Sequence, residues 1–267
     1  MEGRQATFID ACKWQVRLLV EGFNYLLWPR TCLICKEMIS PQQGHLCRVC
    51  WESILFCTSG DYCPQCGLDA SRYAILDQRC PQCLNRPFSF DSLFRCGAYD
   101  RTLRDAILAF KKGRTELRCV LGPMLNSVLM GCLGPESIDV FVPVPLHWTR
   151  RLSRGYNQAH VLARASESSR GRTHKVLKRA RRTRIQPLAG SPAARQRNVA
   201  GAFKVIHTKV IFGKTVGLVD DVKTTGATLN ECARVLKQAG ARRVVAIVLA
   251  VAGQRRRDKV DVLVNSQ

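Results

Sequence analysis

Eight of the fourteen cysteines fall into four Cys-x-x-Cys pairs: Cys32/Cys35, Cys47/Cys50, Cys63/Cys66 and Cys80/Cys83. This spacing lets two thiolates turn onto one metal, and two such knuckles complete a tetrahedral site. Eleven residues separate the first two pairs and thirteen the last two, so sequential pairing makes two small ribbons. A cross-braced arrangement is equally open on spacing alone. So short a segment holds little apolar core, and metal would supply much of its folding free energy. A closed four-thiolate site has no open coordination position, so the expected metal is structural Zn2+, two ions in all. Redox motifs come singly within a βαβ frame, which argues against thioredoxin-like chemistry. His45 reads as a surface histidine, and Cys12, Cys57, Cys96, Cys119, Cys132 and Cys232 as small buried or bystander residues.

Disulfides would call for an oxidising compartment. The apolar stretch 14–28 is broken by Arg17 and Glu21 and lacks a basic lead-in and a small-residue cleavage site, so it reads neither as a secretory signal nor as a membrane span. The chain is expected to be cytoplasmic, without stable membrane insertion. The boundaries expected are an N-terminal helical segment at 1–29, a double ribbon at 30–87, an α/β domain at 88–253 and a basic tail at 254–267. Within the α/β domain, residues 102–110, 117–130, 156–165 and 227–239 carry helical periodicity. Residues 139–144, 199–206, 215–219 and 243–251 read as strands. Strands and helices alternating at this spacing imply a parallel sheet flanked by helices.

The segment 216–229, Val-Gly-Leu-Val-Asp-Asp-Val-Lys-Thr-Thr-Gly-Ala-Thr-Leu, carries the most chemistry. An apolar strand delivers Asp220 and Asp221 at its C-terminal end, and a small hydroxyl-rich turn then opens into a helix. Backbone N–H groups, threonine hydroxyls and a helix N-terminus thus converge on one point, which suits a phosphate dianion. The two carboxylates can accept hydrogen bonds from a sugar diol. The plainer alternative is a capped helix start, with Asp220 and Asp221 favouring the dipole. Gly213-Lys214-Thr215 is no Walker A loop: Thr208 stands where its first glycine is required, and the triplet precedes the strand.

Here the chain resembles a known family. The stretch 218–228 is similar to the phosphoribosyl-diphosphate loop of type I phosphoribosyltransferases. The cysteine module, Val142-Pro143-Val144-Pro145-Leu146 with Arg151 and Arg154-Gly155-Tyr156-Asn157-Gln158, and Arg195, Asn198 with Ala202-Phe203, resemble the ComF subgroup. The resemblance implies a type I phosphoribosyltransferase-like parallel sheet preceded by a double zinc ribbon, acting in DNA uptake or utilisation in natural competence. Asp220 and Asp221 would act as catalytic groups holding the ribose. Lys223, Thr224, Thr225, Gly226, Ala227 and Thr228 would hold the 5′-phosphate, and Arg151 the diphosphate, with Mg2+ as cofactor. Lys111 or Lys112 resembles a family lysine. A flexible loop containing Gln186, Arg195 and Asn198 would close over the site. Fold and ligand do not fix the reaction, so turnover as a phosphoribosyltransferase stays open.

A net charge of +22 points to a polyanionic partner. Residues 168–219 hold thirteen Lys/Arg and no Asp or Glu, with Lys178, Arg179, Arg181 and Arg182 in the densest part. That excess over what a diphosphate needs suits the backbone of single-stranded DNA. The alternatives are a diphosphate site only, or a solvated basic face. Expected partners are therefore phosphoribosyl diphosphate and single-stranded DNA, with competence-machinery proteins as further candidates. The competing function is a non-catalytic DNA-binding accessory factor that retains the fold.

Overall fold

The computed structural model describes residues 23, 27, 29–84, 87–132, 138–146, 148–167, 171–181 and 192–253. Cys12, Arg182, Gln186, the basic tail and most of 1–29 lie outside the described residues. The chain divides between Glu52 and Ser53 into two compact units, the first holding Cys32–Cys50 and the second Cys63–Cys83.

The cysteine pairs assemble sequentially, Cys32, Cys35, Cys47 and Cys50 in one cluster and Cys63, Cys66, Cys80 and Cys83 in the other. The two ribbons repeat one local design at an offset of 31 residues. In the first, Cys32 N–H donates to Glu37 at 2.8 Å and Lys36, in the left-handed region at φ 72°, donates to the Cys32 carbonyl at 3.1 Å. In the second, Cys63 N–H donates to Leu68 at 2.9 Å and Gly67, at φ 73°, donates to the Cys63 carbonyl at 2.7 Å. Helix α1, Arg48–Thr58, carries Cys50 in its first turn. It was not legible in the sequence, where its apolar residues are spread around the helix. Helix α2, Pro81–Leu84, carries Cys83 in the same manner.

The second unit is built on five parallel strands, β1 (Ser92–Ala98), β2 (Val140–Pro143), β3 (Arg172–Thr173), β6 (Thr215–Lys223) and β7 (Arg243–Val251), in the order β1-β7-β6-β2-β3. β7 is buried at every position after Arg243, the near-continuous apolar run that a sheet covered on both faces requires. A separate antiparallel pair, β4 (Leu177–Arg179) with β5 (Phe203–Val205), sits between β3 and β6 in the chain. The helices are α3 (Arg101–Lys111), α4 (Arg118–Cys132), α5 (Trp148–Arg154), α6 (Gln158–Ala165), α7 (Pro192–Val199) and α8 (Ala227–Gln238). The strand expected at 199–206 is corrected: Val199 ends α7, Gly201 turns the chain at φ 65°, and only Phe203–Val205 is extended. Arg195 and Asn198 accordingly stand on a helix and not on a loop. β6 runs four residues beyond the expected 215–219, so both aspartates lie within the strand.

Topology fixes where a ligand can bind. β2 leads through α6 to β3 on one side, while β6 leads through α8 to β7 on the other. The chain direction therefore switches between the neighbours β2 and β6, and the crevice at their C-terminal ends is the expected ligand position.

The second ribbon is part of this domain. Leu93 on edge strand β1 donates to the Pro64 carbonyl at 2.7 Å, and the Gln65 amide donates to the Phe90 carbonyl at 3.0 Å. Arg95, 4% exposed, pairs with Asp69 and lies 4.8 Å from the Tyr62 ring centre. A Cβ at Gly67 would clash with Leu93 and Val251. Elemental analysis should therefore return about two zinc per chain, and less than half an equivalent would overturn the metal reading. Cys80→Ser with Cys83→Ser should lower the melting temperature of the sheet domain by far more than Cys32→Ser with Cys35→Ser, as measured by calorimetry; equal effects would contradict the asymmetry.

Candidate ligand site at the ends of strands β2 and β6

Both cysteine clusters fit zinc. The four Sγ atoms of each lie within 4.8 Å of one another, with spacings of 3.6 Å for Cys35–Cys47, 3.8 Å for Cys63–Cys83 and 3.7 Å for Cys66–Cys80. A tetrahedron with Zn–S bonds of about 2.3 Å places its sulfurs about 3.8 Å apart. Disulfides at about 2.05 Å are excluded by the same distances. Backbone N–H groups of Cys50 and Cys80 point at Cys47 Sγ (3.4 Å) and Cys63 Sγ (3.3 Å), as thiolates prefer. His45 is exposed and belongs to neither cluster. Cys57, Cys96 and Cys232 are buried, whereas Cys119 is exposed.

Strand alternation separates the two aspartates. Val216 and Leu218 join the core with Leu229, Cys232 and Leu236 of α8, so Asp220 faces α8 and Asp221 the opposite layer. There Asp221 Oδ1 meets Lys111 Nζ at 3.1 Å. Of the two lysines ending α3, it is Lys111 that reaches the site; Lys112 is exposed. The Asp221 N–H donates to Asp220 Oδ1 at 2.8 Å. Burial first, and the Asp221 charge second, push the Asp220 carboxyl up to about 7. The Asp221 amide, Lys111 and Arg179 act in the opposite direction. Arg179 itself lies 5.3 Å over the Phe203 ring on the neighbouring strand β5.

Beyond β6 the chain turns through Thr224, Thr225 and Gly226 into α8. Gly226 sits at φ 79°, a left-handed position favouring glycine. Thr225 Oγ1 accepts from Ala227 N–H at 3.4 Å, and the first N–H groups of α8 have no intrahelical acceptor. The turn rests on Phe88. A Cβ at Gly226 would stand 3.2 Å from Phe88 Cε1, and the buried Lys223 places Nζ 5.5 Å from the Phe88 ring centre. Phe88 also packs against the Cys63–Cys66–Cys80–Cys83 cluster and stacks on Phe90 at 4.7 Å. Next to it, Ser89 N–H donates to Asn230 Oδ1 on α8 at 2.6 Å. The second cysteine cluster and the Thr-Thr-Gly turn thus share one aromatic ring. Sequence reasoning missed Phe88, Ser89 and Asn230, and no local motif marks them.

A cavity of about 600 Å³ opens beside the aspartates, lined by Pro143 and Pro145 at the β2 exit, by Arg151 and His160, and by residues 175 and 177–181. Pro143 is paired with Val219, the residue before Asp220, so cavity and carboxylates lie on adjacent strands. Asn157 holds the exit loop, its amide donating to the Val144 carbonyl at 3.0 Å while its oxygen caps α6 through Ala159 N–H at 3.1 Å. Tyr156 OH donates to the Phe110 carbonyl, just before Lys111.

Of the basic residues singled out in the sequence, Lys178, Arg179 and Arg181 all line this cavity. Lys178 is exposed, Arg179 turns toward Asp220, and Arg181 donates to the carbonyls of Asn198 (3.3 Å) and Ala200 (2.9 Å). Arg151 is exposed and lines the cavity.

Comparison with known proteins bears on these features. A double zinc ribbon domain model matches residues 23–85, and a phosphoribosyl transferase domain model matches residues 185–267. Competence protein F of Haemophilus influenzae is 30% identical over 222 residues, covering 80% of this chain and 93% of its own length. The chain belongs to the ComF family. Further family members are the DNA utilization protein YhgH of Salmonella typhimurium, 30% identical over 81% of this chain and 94% of its own, and the competence protein ComFC of Bacillus subtilis, 28% identical over 81% and 82%. In this family member the cysteine clusters and the parallel sheet with its Asp-Asp turn therefore occur as expected from the sequence.

Asp220 carries a pH signature. Its folded pKa of about 7 exceeds the unfolded value of 3.8, so the native state binds the extra proton and stability falls as pH rises through 7. Asp220→Asn should therefore raise the melting temperature of the ligand-free protein at pH 8 by about 2–8 °C, with the gain shrinking toward pH 5. A gain independent of pH would show that Asp220 is not held up by burial and its neighbour.

Proposed function

We propose that the domain binds phosphoribosyl diphosphate, and that the protein acts in DNA uptake or utilisation from the cytoplasm. The observation carrying the ligand reading is the pair Asp220–Asp221 at the β2/β6 switch point, followed at once by the Thr-Thr-Gly turn and the N-terminus of α8. Carboxylates that accept from vicinal hydroxyls stand one turn away from donors for a phosphate. Two adjacent carboxylates at the end of a buried strand suit a sugar diol better than a helix cap. Thr224, Thr225, Gly226, Ala227 and Thr228 would hold the 5′-phosphate, while Arg151 faces the diphosphate. Mg2+ bound with the ligand would supply positive charge to the diphosphate.

As a phosphoribosyltransferase the site would let a nitrogen nucleophile form a bond to the anomeric carbon while the carbon–oxygen bond to diphosphate breaks. Diphosphate leaves with the electron pair and the nitrogen loses its proton. Lys111, 3.1 Å from Asp221, holds that carboxylate in place beside the developing cationic ribose, which is electrostatic preorganisation. Eight thiols gathered without disulfides support the cytoplasmic reading.

The reading as a DNA-binding accessory factor has its own observation. Lys178 and Lys204 stand directly opposite each other on β4 and β5, both exposed. Like charges so placed repel, and a phosphate backbone lying across the hairpin would relieve them. The relatives' names, a competence protein and a DNA utilization protein, support the same direction.

Titration calorimetry with phosphoribosyl diphosphate, with and without Mg2+, should show binding that Asp220→Ala with Asp221→Ala abolishes; unchanged affinity would reduce the turn to a capped helix start. Single-stranded DNA should bind with a steep salt dependence. Lys178→Ser with Lys204→Ser should flatten its log–log slope by about one to one and a half units, and an unchanged slope would place any DNA contact elsewhere.

A further inference from the structure

The second ribbon reaches the Thr-Thr-Gly turn by two routes. The first is Phe88, five residues beyond Cys83, whose side chain packs both on the four-cysteine cluster and on the main core. A Cβ at Gly226 would stand 3.2 Å from its Cε1, and the Lys223 ammonium lies 5.5 Å from its ring centre, within cation–π range. The second route is Gly67, which packs closely on Val251, the residue paired with Lys223 across β7 and β6. The next residue, Ala252, donates its N–H to the Lys223 carbonyl at 2.8 Å. Lys223, 3% exposed at the end of β6, is thus braced by the ribbon through its side chain and through its strand partner.

The turn needs such bracing. Its own bond from Ala227 N–H to Thr225 Oγ1 is long at 3.4 Å, and glycine loses more freedom on ordering than any other residue. Recognition of a phosphate by backbone N–H groups requires those groups fixed in direction. Ser89, next to Phe88, supplies a further fixed point. Its N–H donates to Asn230 Oδ1 at 2.6 Å, and Asn230 N–H closes the first turn of α8 onto the Gly226 carbonyl at 2.8 Å. Residues 88 and 89 therefore clasp the turn at both ends, and they rest on a ribbon whose fold depends on metal.

We infer that Phe88 is a positioning residue through which zinc in the second ribbon sets the affinity of the Thr-Thr-Gly turn for phosphate. The ribbon is the two-state element: with metal it walls Phe88, and without metal the ring no longer braces Gly226 and Lys223. Couplings between binding sites are reciprocal, so a phosphate ligand on the turn tightens zinc in the second cluster by the same factor. The first cluster belongs to the other compact unit and serves as the internal comparison. The inference rests on the ligand reading above and adds the regulation of that site by metal supply.

The test uses the full zinc-loaded chain and ribose 5-phosphate, which offers the turn its phosphate and cannot react. By calorimetry, Phe88→Leu should weaken its binding about tenfold, whereas Phe88→Tyr, which keeps the ring, should bind like the parent. Tyr62→Leu loosens the ribbon at Arg95 instead and should leave the affinity unchanged. In the full chain carrying Cys32→Ser and Cys35→Ser, competition with a chelator reads the second zinc alone. Saturating ribose 5-phosphate should raise that zinc affinity about tenfold, and Phe88→Leu should abolish the gain. Phosphate binding indifferent to Phe88→Leu, or zinc affinity indifferent to the ligand, would overturn the inference. So would an equal loss in Tyr62→Leu, which would reduce Phe88 to a contributor to general stability. Ribose 5-phosphate failing to bind the parent chain would sink the turn as a phosphate site and the inference with it, whereas binding without zinc linkage sinks the inference alone.

Discussion

Two carboxylates on consecutive residues of a half-buried strand end repel each other and have lost much of their water. The rest of the second unit is arranged around that electrostatic problem. Strand pleating sends Asp221 to the layer where α3 ends in Lys111, whose charge also acts on Asp220 together with that of Arg179 from the β4–β5 hairpin. Each cation arrives from a different crossover connection, so neither can be supplied by β6 itself. A residual imbalance persists at Asp220, whose carboxyl stays near neutrality. Tolerating an uncomfortable charge in the core of a domain is how binding sites are kept ready for a ligand, and the destabilisation is offset by the packed sheet beneath.

The two ribbons show how one local chemistry serves two tertiary purposes. Their knuckles share hydrogen bonds and a left-handed residue after the second cysteine. Lys36 occupies that position in the first and Gly67 in the second. Open space would tolerate a side chain, but at Gly67 the packing of Leu93 and Val251 forbids one. The second ribbon is fused to the edge of the sheet, and its cluster is walled by Phe88, which also supports the Thr-Thr-Gly turn.

The strand, turn and helix from Thr215 to Gln238 were legible because they are contiguous and each obeys a local rule: apolar run, left-handed glycine, capped helix. Cysteine spacing exposed the metal sites for the same reason, although only the fold distinguished sequential from crossed pairing. What lay hidden depends on contacts distant in sequence. Phe88 and Asn230 belong to one site through a sheet, and no pattern near either marks it. The basic run concealed its geometry for the same reason: Lys178, Arg179 and Arg181 line one cavity with Arg151, a residue distant in sequence. Charge density along a sequence says nothing of direction, and helix α7 with its Arg195 was likewise read as loop because its polar surface carries little apolar periodicity.

β1 has consequences for how the chain folds. Its partner in the sheet is β7, with Ser92 aligned to Val245 and Leu93 to Ala246, so during synthesis β1 emerges long before the strand that completes it. A strand rich in apolar residues with unpaired backbone groups invites aggregation in that interval. The second ribbon, made just ahead of it, already offers Pro64 to Leu93 and Asp69 to Arg95. These contacts persist beside the β7 pairing in the finished fold, so the ribbon guards the outer edge of the sheet while the edge meant for β7 stays open until the last strand is made.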